Sequence, residues 1–373
     1  MKTQYIQNDH ELDLVVSQYT DAEKLFIDTE FESYRGGTQL CLIQVSDGEH
    51  AFVIDAITID DLTPLASALS GPQMQWVVHA GKQDVALLMK AMGLRIRPTI
   101  FDTQVAWSLL GPEFQVSLAY LEAVLLGLRV EKGHQTDNWK RRPLPATQLA
   151  YAIDDVVHLH ALYEALIDRL VVMDRAELVP LVSREIFEPA PAEPKLLSLS
   201  SYRNAWQLNG QQRSVLMKLV EWYLGFENGP PRGTPHHKTL FSIAARLPST
   251  IGELGEIKGV NMGWAKRAGE SVLQLIDSTA ADNTVDQGTA SPPTPYGRYE
   301  DMYRDAWLGC ARVHISAELS MAPEVAFPSW LMKRLRAQLK TGIALDRLSR
   351  EFVGWRKMLA EPWSRFCRET SGT

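Results

Sequence analysis

The sequence predicts an α/β domain with a mixed sheet, followed by two all-α helical domains. Three observations carry this reading. Three β-rich runs come first, joined by turn-like segments; β and α patterns then alternate; and beyond residue 170 strand signals cease while Pro-, Ser- and Thr-rich stretches divide the rest. A chain of 373 residues also exceeds what one hydrophobic core usually organises.

The β-rich runs cover residues 24–31, 39–46 and 51–55, separated by Arg35-Gly36-Gly37 and Asp47-Gly48-Glu49, and read as an antiparallel meander. A helix over 60–69, a strand at 76–79, a helix over 83–92 and a short strand at 100–101 follow. Further helices are expected over 104–110, 117–126 and 146–170. Three antiparallel strands followed by β-α units are the outline of the ribonuclease H-like fold. The composition of 188–194 is that of a semi-rigid linker, and that of 278–295 a second linker. The expected organisation is therefore a catalytic-type domain over 1–172, an extension and linker over 173–199, a helical domain over 200–280, a linker over 281–295 and a second helical domain over 296–373.

The net charge of −7 argues at first against a polyanionic partner, but it is unevenly spread: residues 1–190 carry −12 and residues 191–373 carry +5. An acidic half suited to metal cations is joined to a mildly basic half suited to nucleic acid. The N-terminus is polar, and no apolar run approaches the roughly 20 residues of a membrane span. Cys41, Cys310 and Cys367 are far apart and fit neither a disulfide framework nor a zinc site. A soluble, cytoplasmic protein without a signal peptide is expected.

Three elements bring carboxylates into settings where they need a partner. In Asp28-Thr29-Glu30 the period-two alternation of a strand points both acids to one face, with Thr29 on the other. In His79-Ala80-Gly81-Lys82-Gln83-Asp84 the last residue falls in the first turn of a helix, a position the helix dipole alone would favour. In Tyr151-Ala152-Ile153-Asp154-Asp155 the i, i+4 spacing sets the Tyr151 hydroxyl beside the Asp155 carboxylate, next to the apolar stripe Ala152, Val156, Leu159 and Leu162. An unpaired charge there is costly, and a bound cation would supply the partner. A competing pair of ligands, Asp154 and His158, could hold zinc, but has no third ligand nearby.

In this order and these settings the set resembles the three exonuclease motifs of the DEDD superfamily, in its tyrosine subclass, and the match to the ribonuclease D family is close. The resemblance implies a metal-dependent 3′-to-5′ exoribonuclease. It makes Asp28, Glu30, Asp84 and Asp155 the metal-binding carboxylates and gives Tyr151 the orientation of the attacking water. It also implies two divalent cations, Mg²⁺ or Mn²⁺, roughly 3.5–4 Å apart. Where the family often has Asn four residues before the second-motif acid, this chain has Ala80.

The RNA-facing candidates follow from the same resemblance. The string Trp139-Lys140-Arg141-Arg142-Pro143-Leu144 looks like ribonuclease D; Lys140, Arg141 and Arg142 are candidate phosphate contacts, and Trp139 either packs beneath the helix or stacks on a base. The closing string of the middle block, residues 254–260 followed by Lys266 and Arg267, resembles the HRDC module shared by helicases and ribonuclease D. Lys258, Lys266 and Arg267 are its candidate contacts. The last block resembles a degenerate second copy. The expected partner is RNA with a free 3′ end, such as transfer RNA precursors, with no membrane and no obligate protein partner; a DNA 3′-to-5′ exonuclease is the alternative.

Overall fold

A computed structural model describes every residue except 20, 35–36, 72, 96, 130–136, 189–196, 198, 203, 227–229, 232, 282–298 and 371–373. Residues 35–36 of the expected turn, most of the linker at 188–194 and most of that at 278–295 lie outside the described residues. Six strands form one sheet: β1 (Lys2–Ile6), β2 (Lys24–Tyr34), β3 (Gly37–Ser46), β4 (His50–Asp55), β5 (Gln75–Val78) and β6 (Thr99–Asp102). Their order is β1-β4-β3-β2-β5-β6. The antiparallel meander β2-β3-β4 is continued by β5 and β6 parallel to β2, which is the ribonuclease H-like arrangement, with β1 added in parallel at the β4 edge.

Helices cover both faces. On one lie α1 (Asp9–Tyr19), α2 (Leu65–Leu69) and α3 (Lys82–Ala91), whose Leu12, Val15, Leu65, Val85 and Leu88 bury Leu25, Ile27, Ile43 and Trp76. The other face receives α4 (Thr103–Ser108) and the long α6 (Ala146–Val172), with α5 (Leu118–Leu121) leading into it and α7 (Leu178–Phe187) following. There Phe26, Val77 and Phe101 pack with Leu159, Tyr163 and Leu166 of α6. The sequence missed β1 and α1, and the helix expected over 60–69 is confined to α2, because Asp61 accepts from the Thr63 N–H and hydroxyl in a turn that ends at Pro64.

The described chain forms two compact units, Met1–Ala190 with Tyr303–Thr373, and Pro191–Met302. The second is helical: α8 (Gly210–Leu224), α9 (Thr239–Arg246), α10 (Ile251–Gly255) and α11 (Met262–Ala281) enclose Val215, Leu216, Leu240, Ile243, Leu254 and Trp264. Asn209 begins α8 with a capping box. The last block comprises α12 (Tyr299–Glu318), α13 (Pro323–Ala326), α14 (Ser329–Lys340) and α15 (Ala360–Thr370). The sequence reading set residues 296–373 apart, whereas Tyr303–Thr373 shares the core of the first unit. Leu308, Ile315, Phe327, Leu331 and Trp363 continue the cluster containing Leu166, Leu170 and Val182. Buried Arg175 donates to the Leu109, Ser320 and Leu319 carbonyls, and Arg356 pairs with Glu185 at 2.5 Å. No described helix is long and apolar enough to cross a membrane.

Candidate active site

Strand β2 runs between the two cores, and its alternation settles the direction of each acid. Phe26 packs toward α6, so Asp28 and Glu30 face α6; Leu25 and Ile27 pack toward α3, so Thr29 faces α3. A register shift between Glu30 and Phe31 bends the strand where the acids end. From α6, Asp155 joins them: one carboxylate oxygen from each of Asp28, Glu30 and Asp155 lies within 4.8 Å of the others, among the described residues the only cluster of at least three His, Cys, Asp or Glu side chains placed to hold a metal. Tyr151, one turn earlier, donates its hydroxyl to Asp155, and its ring lies 6.2 Å from that of Trp139.

Asp84 approaches from the other face of the sheet. Thr29 Oγ1 donates to its Oδ1. The loop before α3 is held by Asp102, a buried residue at the end of β6 that accepts from the N–H groups of Ala80 (3.1 Å) and Gly81 (3.0 Å) and caps α4 through Gln104 (2.8 Å) and Val105 (3.3 Å). Ala80 takes a left-handed conformation, φ 50°, and a Cβ on Gly81 would lie 2.6 Å from the Val78 side chain. Asn adopts that φ more readily than Ala.

Electrostatics mark the cluster as unfinished by protein groups alone. Burial, and then Asp155, Asp84 and Glu30, hold the Asp28 carboxyl well above the usual range. Glu30 is pushed up to about 9 by burial and then by Asp155, Asp84 and Asp137. Asp155 rises to about 7 through burial and Glu122, against the pull of His158 and the Tyr151 hydroxyl. Asp84 is raised by burial, in part offset by Thr29. Among the described residues no Lys or Arg forms an ion pair with any of the four. Hard oxygen donors crowded without a countercharge suit Mg²⁺ or Mn²⁺, and the residues present fit such ions.

Of the two readings of Trp139, packing holds: it is buried, 2% exposed, with its ring near that of Tyr151. The expectation for Arg142 changes. Arg142 does not face phosphate: its guanidinium grips buried Asp55 at 2.5 Å through both Nε and Nη2, and also donates to the Trp139 and Cys41 carbonyls. Tyr5 donates to the same carboxylate. Lys140 and Arg141 are exposed, and Lys140 lines a groove of about 540 Å³ with Phe31, Glu32, Ser33, Asp137, Asn138 and Trp139. Lys258, Lys266 and Arg267 are exposed in the second unit. The zinc pair dissolves, since Asp154 is exposed and His158 is engaged by Glu122 at 2.7 Å. Sequence reading missed Thr29, Asp102 and Glu122, and also Gln44, which is buried opposite Asp28 on β3 with neither amide atom hydrogen-bonded.

A ribonuclease H-like sheet with Asp28, Glu30 and Asp155 gathered within 4.8 Å, and Asp84 and Tyr151 adjoining, is the arrangement of a metal-dependent 3′–5′ exonuclease. Residues 3–170 match the family model for 3′-5′ exonucleases, and residues 227–276 that for the HRDC domain. Ribonuclease D of Gluconacetobacter diazotrophicus is 29% identical over 339 residues, covering 89% of this chain and 84% of that one, and ribonuclease D of Pseudomonas paraeruginosa is 28% identical over 372 residues, covering 95% and 94%. The crystal structure of Escherichia coli RNase D superimposes with a TM-score of 0.73 over 99% of both chains at 24% identity, a likeness of fold. The chain belongs to the ribonuclease D family.

Proposed function

We propose that this protein is an exoribonuclease that releases 5′-mononucleotides from RNA 3′ ends by two-metal hydrolysis, with transfer RNA precursors as its natural class of substrate. The observation that carries the reading is the convergence of Asp28, Glu30 and Asp155 within 4.8 Å, with Asp84 and Tyr151 adjoining. Asp28, Glu30, Asp84 and Asp155 would hold the ions. Bound there, two divalent cations supply an activated water and charge stabilisation for the phosphodiester and its leaving 3′-oxygen.

The chain's own groups do the rest. Tyr151, donating to Asp155, keeps acceptor capacity on its phenol oxygen for one hydrogen of the attacking water. Trp139 fixes the tyrosine ring from behind. The groove that Phe31, Glu32 and Lys140 line, one residue beyond Glu30 along β2, would take the RNA strand next to its 3′ end, with Lys140 at its wall as a phosphate contact. Lys258, Lys266 and Arg267 provide exposed cations in the helical unit for the body of the substrate.

The test uses RNA and DNA oligomers labelled at either end, with Mg²⁺ or Mn²⁺. Stepwise release of mononucleotides from the 3′ end of RNA is expected. Internal cuts, or stronger cleavage of DNA, would overturn the assignment. Competition between transfer RNA precursors carrying extra 3′ nucleotides and unstructured RNA addresses the natural substrate, and equal turnover of the two would remove the precursor assignment.

A further inference from the structure

Strand β2 does more than carry two ligands. We infer that Thr29 is a positioning residue for Asp84, fixing which oxygen of that carboxylate is presented to the metal cluster. This rests on the reading of Asp84 as a metal-binding carboxylate.

The geometry places Thr29 between Asp28 and Glu30, yet on the opposite face, 5% exposed, with its hydroxyl donating to Asp84 Oδ1. Asp84 belongs to α3, packed on that opposite face, whereas Asp155 belongs to α6 on the near face. A single strand therefore addresses both helices, with acids toward α6 and a hydroxyl toward α3. Asp84, in the first turn of α3, also accepts from its own backbone N–H, and the free N–H groups of that turn offer it other rotamers as well. Thr29 selects the rotamer in which both bonds are made. Being β-branched, threonine is stiff at χ1, so the hydroxyl's direction is set by the backbone of β2 itself. Thr29 takes up one lone pair of Oδ1, which favours Asp84 meeting a cation through Oδ2. Outer partners of metal ligands act in this way, orienting the ligand and limiting its coordination mode.

The experiment is Mn²⁺ titration of the full chain without nucleic acid, by calorimetry and by electron paramagnetic resonance, for the wild type, Thr29→Ser, Thr29→Val, Thr29→Ala, Asp84→Asn and the Thr29→Val/Asp84→Asn double variant. Thermal unfolding in chelator is recorded for each. Thr29→Val and Thr29→Ala are expected to weaken Mn²⁺ binding about 10–100-fold. Thr29→Ser should restore most of it. In the Asp84→Asn background Thr29→Val should cause no further loss, because the two changes remove one coupled interaction. A loss on Asp84→Asn with unchanged binding in both Thr29→Val and Thr29→Ala overturns the inference alone, and a lowered Tm in those variants would then assign Thr29 to packing. Unchanged binding in Asp84→Asn overturns the metal role of Asp84 and, with it, the inference.

Discussion

Replacing Asp155 by Asn should stabilise the metal-free protein while abolishing its activity. Asp155 is 8% exposed, and its pKa stands at about 7 in the fold against 3.8 for an ordinary aspartate. The folded value is the higher one, so the protonated acid favours the fold; that contribution is complete below about pH 4 and is lost as the pH rises through 7. At about 1.4 kcal/mol for each tenfold change in proton affinity, ionising this carboxyl within the fold costs about 4 kcal/mol at pH 8. Asn keeps the shape and can still accept from Tyr151, but its amide N–H groups need partners, so a net gain of about 2 kcal/mol is expected, or roughly 4–8 °C in Tm. The assay is thermal unfolding in chelator at pH 5 and pH 8. The variant should exceed the wild type at pH 8, approach it at pH 5, and fall behind it at pH 8 once saturating Mn²⁺ binds and stabilises the wild-type fold. A variant less stable than the wild type in chelator at pH 8 would refute the reasoning, because the acid would then be satisfied by the protein alone.

Three further outcomes follow from the same geometry. Because Glu30 and Asp155 are protonated well above ordinary carboxylates, Mn²⁺ binding at pH 7 should release protons, seen as calorimetric enthalpies that change with the buffer's ionisation enthalpy; buffer-independent enthalpies would contradict the raised values. Arg142→Ala should cost about 3–5 kcal/mol of stability by stranding Asp55, whose carboxyl is held below its usual range by Arg142 and Tyr5 in spite of burial, while Lys140→Ala should leave stability unchanged and weaken RNA binding with a shallower salt dependence. Gln44→Leu should raise stability by about 1–3 kcal/mol, since its buried amide has no hydrogen-bond partner in the fold, and a fall in denaturant midpoint would show that the amide is satisfied.

What could be read from the sequence was whatever depends on short-range periodicity. The alternation of β2 and the i, i+4 pair on α6 each fix a side chain's direction from its neighbours alone, and so Asp28, Glu30, Tyr151 and Asp155 were placed on the correct faces. The partners that complete the site come from far along the chain and leave no local signature. Thr29 meets Asp84 across 55 residues, Arg142 meets Asp55 across 87 and Trp139 donates its N–H to Glu32 across 107. A cationic run beside a tryptophan reads as a polyanion contact by composition, yet the fold spends Arg142 and Trp139 on holding the loop to the sheet. Asp102 was equally hidden, since a strand-final acid before Thr-Gln looks like an ordinary N-cap, which it is, and nothing local shows that it also clamps the loop of Ala80 and Gly81. The C-terminal block was set apart because its helical pattern does not say which apolar surface it covers; α12 and α14 close over the core that includes α6 and α7.

The measurement that meets the central claim most directly is anomalous diffraction from crystals soaked with Mn²⁺ and a nucleoside 5′-monophosphate, for the wild type and for Asp28→Asn. Two Mn²⁺ peaks roughly 3.5–4 Å apart, bounded by Asp28, Glu30, Asp84 and Asp155 and weakened in the variant, are expected. A single ion away from these four carboxylates, or peaks unchanged by Asp28→Asn, would contradict a two-metal centre built from this set.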